Sequence, residues 1–145
     1  MLGRVAGKGP QRLNKPSAHE RVSEANTGVV TAVRGSVVDV RFNDRLPGIH
    51  SVLRIAATQP VVLEVLAQRD VHHVRCIALT PTQGLARGMS VADSGGPLLA
   101  PVGRSVLSRM FDVLGNAIDR KPAPDDVTWR SVHNAPPPLL QRITK

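Results

Sequence analysis

The sequence predicts a mainly β protein: a small closed antiparallel β-barrel, then one short amphipathic helix and a Pro-rich extended arm. Three observations carry that prediction. Short β-prone runs recur between turn signals at about the eight-to-twelve-residue spacing of sandwiches and small barrels. One of these runs alternates apolar and polar side chains with period two, the signature of a half-buried strand. Closure into a barrel, finally, leaves no strand edge exposed, which favours it over an open sheet.

The first run is Val29, Val30, Thr31, Ala32 and Val33, with Arg34-Gly35 as the turn after it. In the second, Val38, Val40 and Phe42 alternate with Asp39, Arg41 and Asn43. Leu46-Pro47-Gly48 punctuates, and Val52 to Ile55 adds a short strand. Val61 to Leu66 and Val74 to Leu79 form a further pair, with Gln68-Arg69-Asp70 at the hairpin tip. The barrel is expected over Asn26 to Ser94, with domain bounds 28–94. Beyond Gly95-Gly96-Pro97, Val106, Leu107, Met110, Phe111 and Leu114 share one helical face, and Gly115-Asn116 is a C-terminal stop. From Lys121 onward Pro122, Pro124, Pro136, Pro137 and Pro138 predict an extended, unpacked arm, so residues 95–145 read as helix plus linker.

Ahead of the barrel, residues 1–27 carry Arg4, Lys8, Arg12, Lys15 and Arg21 against Glu20 and Glu24, with no apolar periodicity. Such a segment buries too little apolar surface to offset its ordering entropy and reads as a disordered basic leader. It is Arg-rich like a transit peptide, but Gly3, Gly7, Gly9 and Pro10 break the amphipathic helix that targeting requires, so organellar targeting is the less favoured alternative. No apolar run reaches the ~18 residues of a membrane span, so direct membrane insertion is not expected.

Composition narrows the function classes. The single cysteine, Cys76, excludes a disulfide framework and a Cys-based metal site, and its apolar neighbours predict a buried, inert thiol. The net charge of +8 invites nucleic acid as a partner. Two Phe, one Trp and no Tyr are too few for a base-stacking surface, however, and the basic residues form no stripe.

The motifs that could carry chemistry fail on geometry. Gly3 to Gly9 imitates a phosphate loop, but the glycine spacing is one residue short, no Ser or Thr follows Lys8, and no strand and helix flank it. His72 and His73 are adjacent, so on a strand they face opposite sides and cannot share one metal. His19, His50 and His133 are widely spaced with no matching ligands. Asp125-Asp126 and the Asp112/Asp119 pair lack the held geometry that acid–base catalysis needs and read as solvated turn acids. No catalytic, cofactor-binding or metal-ligating residue is predicted.

The stretch Gly28 to Phe42 (GVVTAVRGSVVDVRF), with Leu46-Pro47-Gly48-Ile49 and Leu63-Glu64-Val65, resembles the opening strands of the beta subunit of F-type ATP synthase. The similarity is strongest through Val74 to Leu79, Thr82 to Gly88 and Asp93 to Pro97, and it continues through Pro101-Val102-Gly103 and Val113 to Asp119. It covers about Thr27 to Pro136 in the same order, which makes it more specific than any single motif. The resemblance implies a β-barrel crown domain followed by the first helix and linker of a nucleotide-binding domain. It implies partners as well: alpha subunits and other beta subunits in a hetero-hexameric ring, cytoplasmic and peripheral on the inner membrane face. In the family, MgATP or MgADP is bound further along the chain by a phosphate-binding loop, a catalytic Glu and an Arg from a neighbour. None of these has a matching position here, so none is carried over and no cofactor is expected in this chain. Ser108 departs from the Gly that the family usually places in its Leu-Gly-Arg triplet, residues 129–133 are only loosely similar, and the leader is long and basic. These departures suggest a divergent paralogue.

Two readings of different class follow. In the first, the chain is the N-terminal part of such a beta subunit, cut short by gene decay, a frameshift or incomplete sequence; the apolar face of its helix is then left without the sheet it normally covers. In the second, it is a stand-alone basic barrel that binds acidic proteins or nucleic acid. An independent enzyme is not expected, because no phosphate ligands are positioned.

Overall fold

A computed structural model describes residues 26–57, 59–136 and 138. Six strands form the closed barrel: β1 (Thr27–Arg34), β2 (Val37–Phe42), β3 (Ser51–Ile55), β4 (Val61–Gln68), β5 (His73–Ala78) and β6 (Ser90–Pro97). Their order around the barrel is β1-β2-β5-β4-β3-β6, every pairing antiparallel. The first five strands are those expected from the sequence, and the turns at Gly35-Ser36 and 69–72 fall where the breakers place them.

Period-two alternation fills the interior. Val38, Val40 and Phe42 of β2 point inward at 1% exposure or less, and Leu53 and Leu63 meet across β3 and β4. Cys76 lies in the same core, and burial pushes its thiol up to about 12, with Asp39 adding to the shift, so it stays protonated. Full burial of each large apolar side chain contributes roughly 1.5–3 kcal/mol. Register shifts between Val30 and Ala32, Ser51 and Leu53, and Val65 and Ala67 bend the sheet enough to close. At the first, the Thr31 hydroxyl donates to the Asp39 carbonyl at 3.0 Å, replacing a ladder bond. Closure depends on a short seam, Thr27 to Val29 against Ala92 to Ser90, extended by Val30 N–H to Met89 O at 3.0 Å. The chain can pass so close there because residue 28 is glycine: a Cβ would lie 2.7 Å from Arg41 O and 2.9 Å from the Phe42 ring.

Three features depart from the sequence reading. β6 runs past Ser94 to Pro97, through the glycine pair read as the barrel's end. The arm is not unpacked: β8 (Thr128–Ser131) pairs with β7 (Leu99–Val102) as a separate two-stranded sheet. The amphipathic helix is replaced by one turn of 3-10 helix, Arg104–Val106, followed by a looped hairpin. Leu107 is extended (φ −66°, ψ 138°) and Ser108 is left-handed (φ 59°), so helical geometry cannot propagate. Asp112 then takes the amides of Leu114 (2.9 Å) and Asn116 (2.8 Å), offering the backbone a local alternative to the helix. Phe111 bridges Ala117 instead. The basic leader lies outside the described residues up to position 25. Asn26 already belongs to the barrel, its amide donating to Arg45 O at 2.8 Å.

A second, smaller core joins the two sheets. Val52 and Val62, on the outer face of β3 and β4, are covered by Leu98, with Leu79 and Leu114 packed against them. Val132 N–H donates to Leu98 O at 3.0 Å, so the chain after β8 is held over the same face.

Candidate functional site

The barrel presents side chains, not strand edges, to its surroundings, because every strand from β1 to β6 is paired on both sides. Any partner of this domain therefore meets a side-chain surface and cannot add a strand to it. Within that surface the polar clusters decide what is chemically available.

Asp39 is the most enclosed acid on β2. Arg75 of β5 grips it with two bonds, Nε at 2.9 Å and Nη2 at 3.1 Å, while Arg69 and Arg34 approach to 3.7 and 4.0 Å. The hydrogen bonds and charge of Arg75, reinforced by Arg69 and Arg34, hold its carboxyl below the usual carboxylate range. A carboxylate saturated by guanidinium groups cannot serve as a general base, and its geometry is that of a strand-to-strand brace.

At the hairpin tip Asp70 accepts the amides of His72 (2.8 Å) and His73 (2.9 Å), and His73 Nδ1 lies 3.0 Å from it. These contacts, the His72 amide first, lower the Asp70 pKa to about 2. His72 and His73 thus sit at a capped turn, and no third ligand joins them among the described residues. Asp112 and Asp119 also serve structure. Asp119 is gripped by Arg109 at 2.5 and 3.1 Å, which holds its carboxyl far below the usual range. Arg109 also donates to Pro122 O at 2.7 Å, stapling the hairpin that stands where a helix was expected. Asp125 and Asp126 are exposed in the connection before β8. Gly3 to Gly9 and His19 lie outside the described residues.

Sequence spacing missed one juxtaposition. His50 and His133 come together with rings stacked at 3.6 Å, both directed at Glu64 on the outer face of β4. The sequence held one signal of it: Glu64 is a lone acid within the apolar run Val61 to Leu66, and it is only 8% exposed.

Apolar exposure concentrates in the looped hairpin, where Leu107 (70%) and Met110 (61%) stand out with Val113 and Ile118. Of the apolar residues assigned to a helix face, Leu107 and Met110 are thus exposed on a different element, while Val106, Phe111 and Leu114 are half-buried.

Residues 30–95 match the family model described as the ATP synthase alpha/beta family, beta-barrel domain. That stretch takes in the barrel from the middle of β1 into β6. This barrel belongs to the ATP synthase alpha/beta family. Over 126 residues the chain is 66% identical to ATP synthase subunit beta 2 of Albidiferax ferrireducens, covering 87% of this chain and 24% of that protein. The subunit beta 2 proteins of Polaromonas naphthalenivorans and Shewanella frigidimarina are similar at 69% over 118 residues and 62% over 120 residues. Each match spans about a quarter of the relative's length (25% in both), so this family barrel represents a minor part of the proteins it resembles. Among the described residues, no helix is long and apolar enough to cross a membrane.

Proposed function

We propose that this chain is the N-terminal part of a divergent ATP synthase beta subunit, whose barrel contacts neighbouring alpha and beta subunits in an alternating hetero-hexameric ring. The observation that carries this reading is a closed six-stranded barrel coinciding with the family's barrel domain, embedded in 66% identity to a beta subunit that extends beyond it. In this reading the ring sits peripherally on the inner membrane face and couples proton or sodium movement to ATP synthesis or hydrolysis. MgATP or MgADP is held by parts of the full-length protein outside this barrel. The barrel's task is assembly, and this 145-residue chain contributes no catalytic residue.

The alternative of a basic module for nucleic acid or acidic proteins gains little from the structure. Residues 26–138 hold twelve Arg and Lys against nine Asp and Glu, so most of the net +8 lies outside them. Within them Arg75 and Arg109 are already engaged by carboxylates. The test is co-expression of this chain with an ATP synthase alpha subunit, followed by size-exclusion chromatography and a MgATP hydrolysis assay of the isolated chain. Co-elution with alpha and no hydrolysis are expected. Failure to associate with alpha, together with DNA or RNA binding that weakens steeply with salt, would overturn the proposal.

A further inference from the structure

His50, Glu64 and His133 come from three separate parts of the chain and converge on one point. His50 Nδ1 lies 3.1 Å and His133 Nε2 2.5 Å from the same oxygen, Glu64 Oε1. One ligand atom from each residue falls within 4.8 Å of the other two, and no other group of three His, Cys, Asp or Glu does so among the described residues. We propose that these three residues form a binding site for one divalent transition-metal ion of the zinc type, which ties the chain after β8 to the outer face of the barrel.

The donor set selects the ion class. Two imidazole nitrogens and one carboxylate oxygen suit zinc and its neighbours, whereas calcium and magnesium take mainly oxygen ligands. Three protein ligands also leave one position of a tetrahedron for water. The framework is fixed before any ion arrives. Glu64 is paired with Val52 on one side and Ile77 on the other, in the middle of the sheet. His50 is pinned by its own N–H to Val65 O at 2.8 Å. It occupies the left-handed region at φ 69°, an uncommon conformation for a side-chain-bearing residue that the surrounding contacts must maintain. His133 is set by a turn in which its N–H donates to Ser131 Oγ at 3.1 Å, and Ser131 Oγ donates back to His133 O at 3.1 Å.

Burial is graded across the three residues: Glu64 is buried, His50 half-buried and His133 exposed. An ion therefore reaches the site from the His133 side. The stacked rings, 19° from parallel, make hydrogen-bond contact with a shared carboxylate oxygen. Coordination at about 2.0–2.2 Å requires the rings to rotate out of the stack, with the ion taking the place of the shared protons. This site concerns the barrel and the segment beside it, and does not depend on subunit assembly.

The test is titration of the full chain with Zn²⁺ by calorimetry, with histidine imidazole NMR in parallel. One Zn²⁺ per chain is expected, with the His50 and His133 resonances shifting and those of His72 and His73 unmoved. His133→Ala, at an exposed position, should weaken binding by more than ~10-fold, and His72→Ala should leave it unchanged. Co²⁺ in place of Zn²⁺ should give visible absorption bands that His50→Ala abolishes. No Zn²⁺ binding, or binding that shifts only His72 and His73 and survives His133→Ala, overturns the proposal. The NMR readout decides even if a variant misfolds, because it uses the unaltered chain.

Discussion

Replacing Gly115 by alanine tests whether the β7–β8 sheet is an ordered unit in its own right. Gly115 has φ +80°, a region that costs an L residue about 1–2 kcal/mol. A Cβ there would lie 2.8 and 2.9 Å from two atoms of the Trp129 ring and 3.0 Å from Pro101 Cδ. Both neighbours sit in the paired strands, so the ring cannot simply swing away, and overpacking of this kind costs about 1–3 kcal/mol. Alanine's smaller freedom in the unfolded chain returns about 0.4–1 kcal/mol. The net expectation for Gly115→Ala is a loss of about 1–4.5 kcal/mol, the balance of those three terms. Trp129 is the only tryptophan in the chain, so its fluorescence reports on this sheet, while far-UV circular dichroism is dominated by the barrel. In a denaturant titration of the variant, the fluorescence transition should move to lower denaturant than the dichroism transition, as expected for sub-global unfolding. If the Trp129 transition moves by less than ~0.5 kcal/mol, the packing of Gly115 beneath Trp129 is refuted, since that is the size of an ordinary surface substitution.

Two further predictions use the same instruments. Ser108 holds φ 59°, a left-handed conformation that glycine adopts without a Cβ penalty, so Ser108→Gly should raise stability by about 0.5–1 kcal/mol, measured by thermal melting. The folded-state pKa of Asp70 is depressed from 3.8 to about 2, so its contribution is fully present above 3.8 and is lost as pH falls toward 2. Asp70→Asn should therefore flatten the fall of the melting temperature across that window and leave the slope near neutral pH unchanged.

Five of the six barrel strands were legible because β2 to β5 carry dense valine, leucine and isoleucine and β1 a β-branched run. β6 was not, for a physical reason. Its sequence, Ser90 to Pro97, contains two glycines and buries only Val91, so its extended conformation is imposed by the strands on either side. The helix assigned to Ser105 to Leu114 had helical apolar spacing but did not form, because Ser108 and Asp112 set local backbone geometry that apolar periodicity does not register. β8 was hidden by prolines, and Trp129 packs against a glycine distant in the chain. The cluster at Glu64 depended on tertiary placement: His133 reaches it only because β8 pairs with β7 and Val132 is held to Leu98. The acid pairs, read as solvated turn acids, divide: Asp125 and Asp126 are exposed, whereas Asp112 and Asp119 are half-buried and held by the Leu114 and Asn116 amides and by Arg109.

The closing strand has a consequence for how this barrel comes to exist. β1 and β3 are joined through β6 alone, so until Ser90 to Ala92 arrive, two strands show bare amides and carbonyls. The strand that caps them is the poorest β-former of the six and the last of them to be synthesised. The most adhesive state of this protein is therefore neither the folded barrel nor the random chain but the five-stranded open sheet between them, whose two edges can capture each other on a neighbouring copy. Folding yield should accordingly be governed by protein concentration and by the speed of β6 docking more than by the stability of the finished core.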